Sequence, residues 1–191
     1  MSEQRKFWMR WRVRTGYPVA AIYLVLAVPK PRWILIGGAI ATIGLLVRGA
    51  AAGHLRKDRE LAVSGPYAHT RNPLYLGSAL LAAGFAIAGG SLWAGLLVVA
   101  YFAVFYYAVM RNEEEDLQRR FGAAFDEYAA RVPLFFPWFP RAGAKLSPGE
   151  AARRFSWDQY RRNREYRALI GAVGGVGVLF LRMWIRSQFG Y

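Results

Sequence analysis

The chain has 191 residues, of which 55% are hydrophobic and only 20% charged, with seven Trp, no Cys and a formal net charge of +14. A soluble domain spreads its charge over the whole surface; here charge falls in blocks between long apolar gaps, which excludes an ordinary soluble domain and indicates a polytopic membrane protein. The missing cysteines exclude disulfides, thiolate metal sites and cysteine nucleophiles. The basic blocks flank apolar runs directly, so the positive balance points to anionic lipid head groups rather than nucleic acid.

The N-terminal segment MSEQRKFWMRWRVRTGY is basic and tryptophan-rich, and a first apolar run follows over residues 17–28. It is short against the about 20 residues a helix needs to cross a bilayer. Arg14 and Lys30 can snorkel from its ends, and Trp8 and Trp11 suit the interface. No small-residue cleavage site closes the run before Pro29, so it reads as a retained span rather than a signal peptide. Pro29 and Pro31 then stop any helix. A second run, residues 33–53, is long enough to span and carries Arg48 near one end, followed by His54, Arg56, Lys57 and Arg59. Arg48 either snorkels, the simpler reading, or faces a polar pocket.

A third run (75–88) and a fourth (92–110) are joined by Gly89, Gly90 and Ser91, which predicts a helical hairpin. Ser78, Ala82 and Ala86 recur at every fourth position, a spacing that lets helices approach closely, and Gly37-Gly38 also reads as packing. After Met110 the chain turns polar. Leu117, Phe121, Ala124, Phe125 and Tyr128 keep a helical period, which predicts an amphipathic surface helix bent at Gly122. The prolines of VPLFFPWFP, residues 132–140, forbid a helix interior and predict an extended interfacial segment, with Trp138 and the phenylalanines in lipid. Ser147, Pro148 and Glu150 read as the capped start of a basic helix running through FSWDQYRRNREYR, with its arginines on anionic head groups. A last apolar run, 168–185, is interrupted by Arg182 and holds Gly171 and Gly175 four apart.

The expected fold is therefore all-α, a single membrane domain over 1–191 with about five transmembrane helices and cytoplasmic interfacial helices. Within it, 48–140 form a core and 147–191 a basic interfacial helix plus the last span. Lys and Arg concentrate in the N-terminal tail, the 55–72 loop and the segment after Met110, so the positive-inside rule places the N-terminus and both polar signatures in the cytoplasm.

Those signatures are SGPYAHTRNPLYLG, residues 64–77, and NEEEDL, residues 112–117. Gly65-Pro66 and Asn72-Pro73 make two turns, and Pro73 suits a first helical turn. Tyr67, His69, Arg71 and Tyr75 are held between and just beyond them. Free N–H groups at a helix start favour an anion, and Arg71 adds a fork suited to a carboxylate or phosphate; the alternative of equal weight is a loop anchored to head groups. Glu113 and Glu114 stand where the fourth span leaves the bilayer, and they need a cationic partner such as Arg71, Arg111 or a bound cation. Simple pairing with arginine on a solvated helix start is the plainer reading of the two glutamates. No acidic or histidine cluster has metal-ligand spacing, and no GxSxG or phosphate-cradling glycine loop occurs.

Together the two segments resemble the isoprenylcysteine carboxyl methyltransferase family and its relatives, the phospholipid N-methyltransferases. The marks are LAVSGPYAHTRNPLYLG and EEEDLQRRFGAAFDEYAARVPLFFP. The family pattern is a GPY turn, an Arg-His-Pro-x-Tyr-x-Gly block, a helical hairpin, a Glu-Glu-x-x-Leu block, Phe-Gly, a Tyr-bearing helix and Val-Pro. The chain departs from it at Asn72, where the family usually has His, so a role needing a proton there is lost. The resemblance implies S-adenosyl-L-methionine as methyl donor and a lipid-like acceptor in the bilayer. It implies a donor site of Tyr67, His69, Arg71, Asn72, Pro73, Tyr75, Glu113 and Glu114, with Arg71 and Glu114 carrying catalysis. A prenyl-type or other amphiphilic carboxylate is the favoured acceptor, since it attacks without a base. A phospholipid amine remains open, as does an NADPH-dependent membrane reductase of related fold.

Overall fold

Prolines and glycines set the ends of the helices. In the computed structural model, which describes residues 3–56, 60–137 and 154–189, α1 (Glu3–Leu26) ends before Pro29 and α2 (Pro31–His54) begins at Pro31. A 3-10 turn at Gly65–Ala68 precedes α3 (Pro73–Ala88), and α4 (Leu92–Phe121) follows the Gly89–Ser91 turn. Ser91 caps α4 by accepting from Ala94 N. The chain continues through α5 (Ala123–Arg131), α6 (Trp157–Arg162) and α7 (Tyr166–Phe189). No strand occurs among the described residues, and the protein is an all-helical, polytopic membrane protein. Three helices, α2, α4 and α7, are long and apolar enough to cross a membrane, and α3 is a shorter apolar helix. The N-terminal half of α1 is polar, as its tail of arginines requires.

Several expectations need correction. The fourth span does not stop at Met110: α4 continues for a further three turns to Phe121 and carries the glutamates on its rigid extension. The break expected at Gly122 is present, with φ at 50°, in the left-handed region that favours glycine. The basic C-terminal helix is, in its described part, two pieces separated by residues 163–165, and Ser156 caps the first. Ser147, Pro148, Glu150 and Trp138 lie outside the described residues, as does the side chain of Trp8. Gly175 packs on the Phe85 ring as a helix contact, but Gly171 meets nothing, because it faces away from the bundle.

The tightest packing joins α2 to α3. The two run antiparallel with Gly37 against Gly84 and Gly44 against Gly77, two pairs seven residues apart on each helix. A Cβ on Gly44 would sit 2.6 Å from the carbonyl oxygen of Gly77, and one on Gly77 2.7 Å from that of Gly44. Backbones this close gain dispersion energy where no hydrophobic drive exists between lipid-embedded helices. The small-residue face expected at Ser78, Ala82 and Ala86 is therefore displaced; Ser78 is buried, and Ala86 is instead the neighbour of Gly95 on α4.

The two ends of the bundle differ. At one end Tyr23, Ala27, Ile34, Ala88, Ala94 and Leu179 form an apolar cluster beneath the short turns, and the Tyr23 hydroxyl donates to Phe85 O at 2.6 Å. At the other end α2, α3 and α4 open around a polar cavity. A second apolar cluster of Phe125, Tyr128 and Val132, packed on Leu61, Val63, Leu117 and Phe121, lies beside it, and Tyr128, Leu61, Leu117 and Phe121 reach its lining.

Candidate active site

The 64–72 loop is held by hydrogen bonds to the segment after α5. Thr70 Oγ1 donates to Phe135 O at 2.9 Å, Arg71 N to Pro133 O at 2.9 Å, and Asn72 Nδ2 to Leu134 O at 3.0 Å. The Tyr128 hydroxyl donates to Tyr67 O at 2.7 Å. Pro133, Leu134 and Phe135 therefore buttress this loop through their carbonyls, Val132 is buried, and Phe136 is the exposed one of the run. The cause is valence. An extended, proline-broken segment leaves its carbonyls unused, and a loop between two turns leaves its donors unused, so the two complete each other. Asn72 stands at the N-cap of α3 without capping through its side chain, because its amide is committed to Leu134.

Arg71 and the two glutamates come together as this loop and the α4 extension converge. Arg71 Nη1 lies 2.8 Å from Glu114 Oε1, with both side chains largely buried, and Arg111 reaches Glu114 Oε2 at 3.4 Å. The Arg71 guanidinium lies 6.0 Å from the Phe125 ring centre, and its buried Nε has no hydrogen-bond partner. Glu113, one residue earlier on the helix, accepts from the Tyr75 hydroxyl at 2.7 Å. Tyr75 meets the edge of Tyr106 at 5.8 Å, and Tyr106 stacks on Phe102 at 4.1 Å. Both glutamates thus face protein, each through a different partner.

A cavity of about 470 Å³ joins these groups. Of the residues expected in the site, Tyr67, Arg71, Asn72, Pro73, Tyr75 and Glu113 line it. His69 and Glu114 do not; Glu114 stands behind Arg71 and fixes its position. Burial pushes the phenols of Tyr67 and Tyr128 well above the usual tyrosine range. Glu113 adds to this for Tyr67, and Arg71 opposes it for Tyr128. Both therefore remain neutral at physiological pH.

Of the six charged residues on the lining, sequence reasoning left Glu60, Arg120 and Glu165 out of the site. Arg48 faces the polar cavity, the second of its two expected readings: its Nε and Nη2 donate to Glu165 Oε1 at 2.5 Å and Oε2 at 3.0 Å. Glu165 arrives there through Arg164, the one non-glycine residue with positive φ among those described, at 55°. That conformation costs on the order of 1 kcal/mol, offset by the bonds it permits. Asn163 Nδ2 donates to both Ala52 O and Leu55 O at 2.9 Å, tying the same corner to the end of α2. The available signal was a lone arginine in an apolar run and a lone glutamate among arginines; nothing local paired them across 117 positions.

Residues 36–124 match the phospholipid methyltransferase family. The match covers 89 of the 191 residues, just under half of the chain. The matched stretch runs from α2 to the start of α5 and contains Arg48, Arg71, Tyr75, Glu113 and Glu114, whereas Tyr128 and Glu165 lie beyond it. Among curated proteins the chain is similar to the nickel-cobalt-cadmium resistance protein NccN of Alcaligenes xylosoxydans xylosoxydans, 34% identical over 138 residues. It is also similar to the cobalt-zinc-cadmium resistance protein CzcN of Cupriavidus metallidurans, 32% identical over 135 residues. Each alignment covers 66% of this chain and 62% of the relative, so the chain spans less than two thirds of either protein's length. A more distant relative is the protein-S-isoprenylcysteine O-methyltransferase of Schizosaccharomyces pombe, 26% identical over 113 residues, covering 56% of this chain and 48% of the relative. No solved structure matches the chain.

Proposed function

We propose that the protein is an integral-membrane methyltransferase that uses S-adenosylmethionine to methylate a lipid-like acceptor, with a prenyl-type or other amphiphilic carboxylate favoured. The observation that carries this reading is the cavity shared by Arg71, Tyr75 and Glu113 at the polar end of the bundle. Its volume lies within the roughly 300–1,000 Å³ of small-molecule sites.

The residues present fit such a donor. The unpartnered Nε of Arg71 is suited to its carboxylate. Glu113 is an acceptor for its ammonium or ribose hydroxyls, and Tyr67, Tyr75 and Tyr106 offer aromatic faces to a cation or a purine. Bound there, the donor supplies a methyl group already activated on a cationic sulfur. The protein's part is placement. Glu114 holds Arg71, Tyr75 orients the Glu113 carboxylate, and the 132–136 segment locks the loop. Holding two reactants in line and excluding water is the main source of acceleration when no covalent step on the enzyme is needed. Of the two residues first assigned to catalysis, Arg71 faces the cavity and Glu114 acts through it.

The long polar connections at this end carry the positive charge, which supports a cytoplasmic N-terminus and site, with anionic head groups against the arginines of α6. A carboxylate acceptor needs no base. An amine acceptor would draw on Glu113, since His69 is off the cavity. Incubating purified protein with methyl-labelled donor and total membrane lipid, then identifying the labelled species by mass spectrometry, tests the reading. A labelled methyl ester supports it, a labelled amine head group supports the phospholipid variant, and NADPH oxidation without label transfer overturns both. Relatives named for nickel, cobalt and cadmium resistance make membranes of cells grown with those metals a second source of acceptor.

A further inference from the structure

The cavity holds one charged pair for which donor binding and transfer have no use: Arg48 on α2 and Glu165 at the start of α7. Arg48 is fully engaged. Its Nη1 donates to Ser78 Oγ and, at 3.4 Å, to Leu74 O, in addition to the two bonds to Glu165. An arginine with four of its five N–H bonds committed in this way is poorly placed to recognise an anion. Its charge is instead cancelled inside the protein. The lining otherwise sets Arg71 and Arg120 against Glu60 and Glu113, so without Glu165 the charge of Arg48 would stand in excess.

We propose that Glu165 is an electrostatic counterweight: by neutralising Arg48 it allows the Arg71–Glu113 cavity to accept a ligand of net positive charge, and so sets the preference for the cationic methyl donor over the neutral thioether left after transfer. The inference rests on the proposed donor. Its physical basis is that donor and product are nearly the same shape and differ by one methyl and one unit of charge at sulfur. A cation about 10 Å away, at an effective dielectric near 20, disfavours the charged ligand by roughly tenfold and leaves the neutral one unaffected. A purely structural strut between α2 and α7 would weaken both ligands alike. The left-handed Arg164 is consistent with a dedicated placement, since it turns Glu165 toward the cavity immediately before α7 begins.

The experiment is calorimetric titration of the full chain in detergent, at low salt and pH 8, with S-adenosylmethionine and with S-adenosylhomocysteine, folding being checked by thermal melting. Glu165→Gln is expected to lower affinity for the methyl donor roughly tenfold relative to the thioether. Arg48→Met leaves an unpaired carboxylate and is expected to shift the ratio the opposite way; if either variant does not fold, the other decides alone. Equal loss for both ligands, no change in the ratio, or a shift of the wrong sign overturns the proposal. A wild-type chain that binds both ligands while the variants keep its ratio defeats this inference and leaves the donor assignment standing. A wild-type chain that binds neither defeats the donor assignment, and this inference with it.

Discussion

The two ends of the bundle share α2, α3 and α4 and have opposite chemistry. At the turn end the connections are as short as geometry allows. Val28 N donates to Gly89 O at 2.7 Å, Gly90 takes a φ of 62°, and Tyr23, Ala27, Ile34, Ala88, Ala94 and Leu179 fill the space beneath. At the cavity end the connections are long, and stability comes from hydrogen bonds and ion pairs: loop 70–72 to 133–135, Arg71 to Glu114, Arg48 to Glu165. The difference separates two kinds of residue. Where α2 and α3 meet backbone to backbone, a substitution changes whether the protein folds. At the cavity end, it changes what the folded protein holds.

Substitutions along the bundle sharpen that division. The largest effect is expected at the α2–α3 contact, where a Cβ on Gly44 would lie 2.6 Å from the backbone oxygen of Gly77. A carbonyl in a helix cannot yield, so Gly44→Leu should cost about 3 kcal/mol or more and remove the monodisperse peak in detergent gel filtration. Arg71→Ala comes next. It should leave that peak in place while weakening methyl-donor binding by about tenfold to a hundredfold, the range for a hydrogen bond to a charged group, as read by calorimetry. Tyr75→Phe removes the 2.7 Å bond to Glu113 and keeps the ring on Tyr106. A loss of about threefold to tenfold in donor affinity, with an unchanged melting temperature, is expected. Asn72→Ala is the smallest of the four. It deletes the Leu134 contact, and about 1 kcal/mol of stability should go with it, visible as a fall in melting temperature of a few degrees. If Asn72→Ala unfolded the chain while Gly44→Leu did not, the division between helix-packing and cavity residues would be wrong.

The helices were legible because lipid imposes length and composition together. Residues 33–53 and 75–88 read as helices, and α2 and α3 extend them by only one or two residues at either end. The polar loop was legible as chemistry because prolines and glycines mark its turns at Gly65-Pro66 and Asn72-Pro73. The end of α4 was less so. Hydrophobicity stops at Met110, but the backbone remains helical until Gly122 supplies a conformation other residues avoid. Long-range polar pairing was not legible at all. Nothing in the local pattern around Arg48 says whether it meets water or Glu165, and the extended 132–136 segment resembles a lipid-facing run until its carbonyls are seen accepting from Thr70, Arg71 and Asn72. Family resemblance reached Arg71, Glu113 and Glu114 because they lie in one ordered pattern; it did not reach Glu165, which enters from outside the matched residues.

The most direct test of the central claim, a methyl donor held between Arg71 and Glu113, is ultraviolet cross-linking of radiolabelled S-adenosylmethionine to the purified full chain, followed by peptide mapping. The account predicts adducts in the peptides that carry Tyr67, Tyr75, Tyr106 or Tyr128, the tyrosines that line the cavity, and their loss in Arg71→Ala. Adducts confined to α1 or α7, or an adduct pattern indifferent to Arg71, would contradict it.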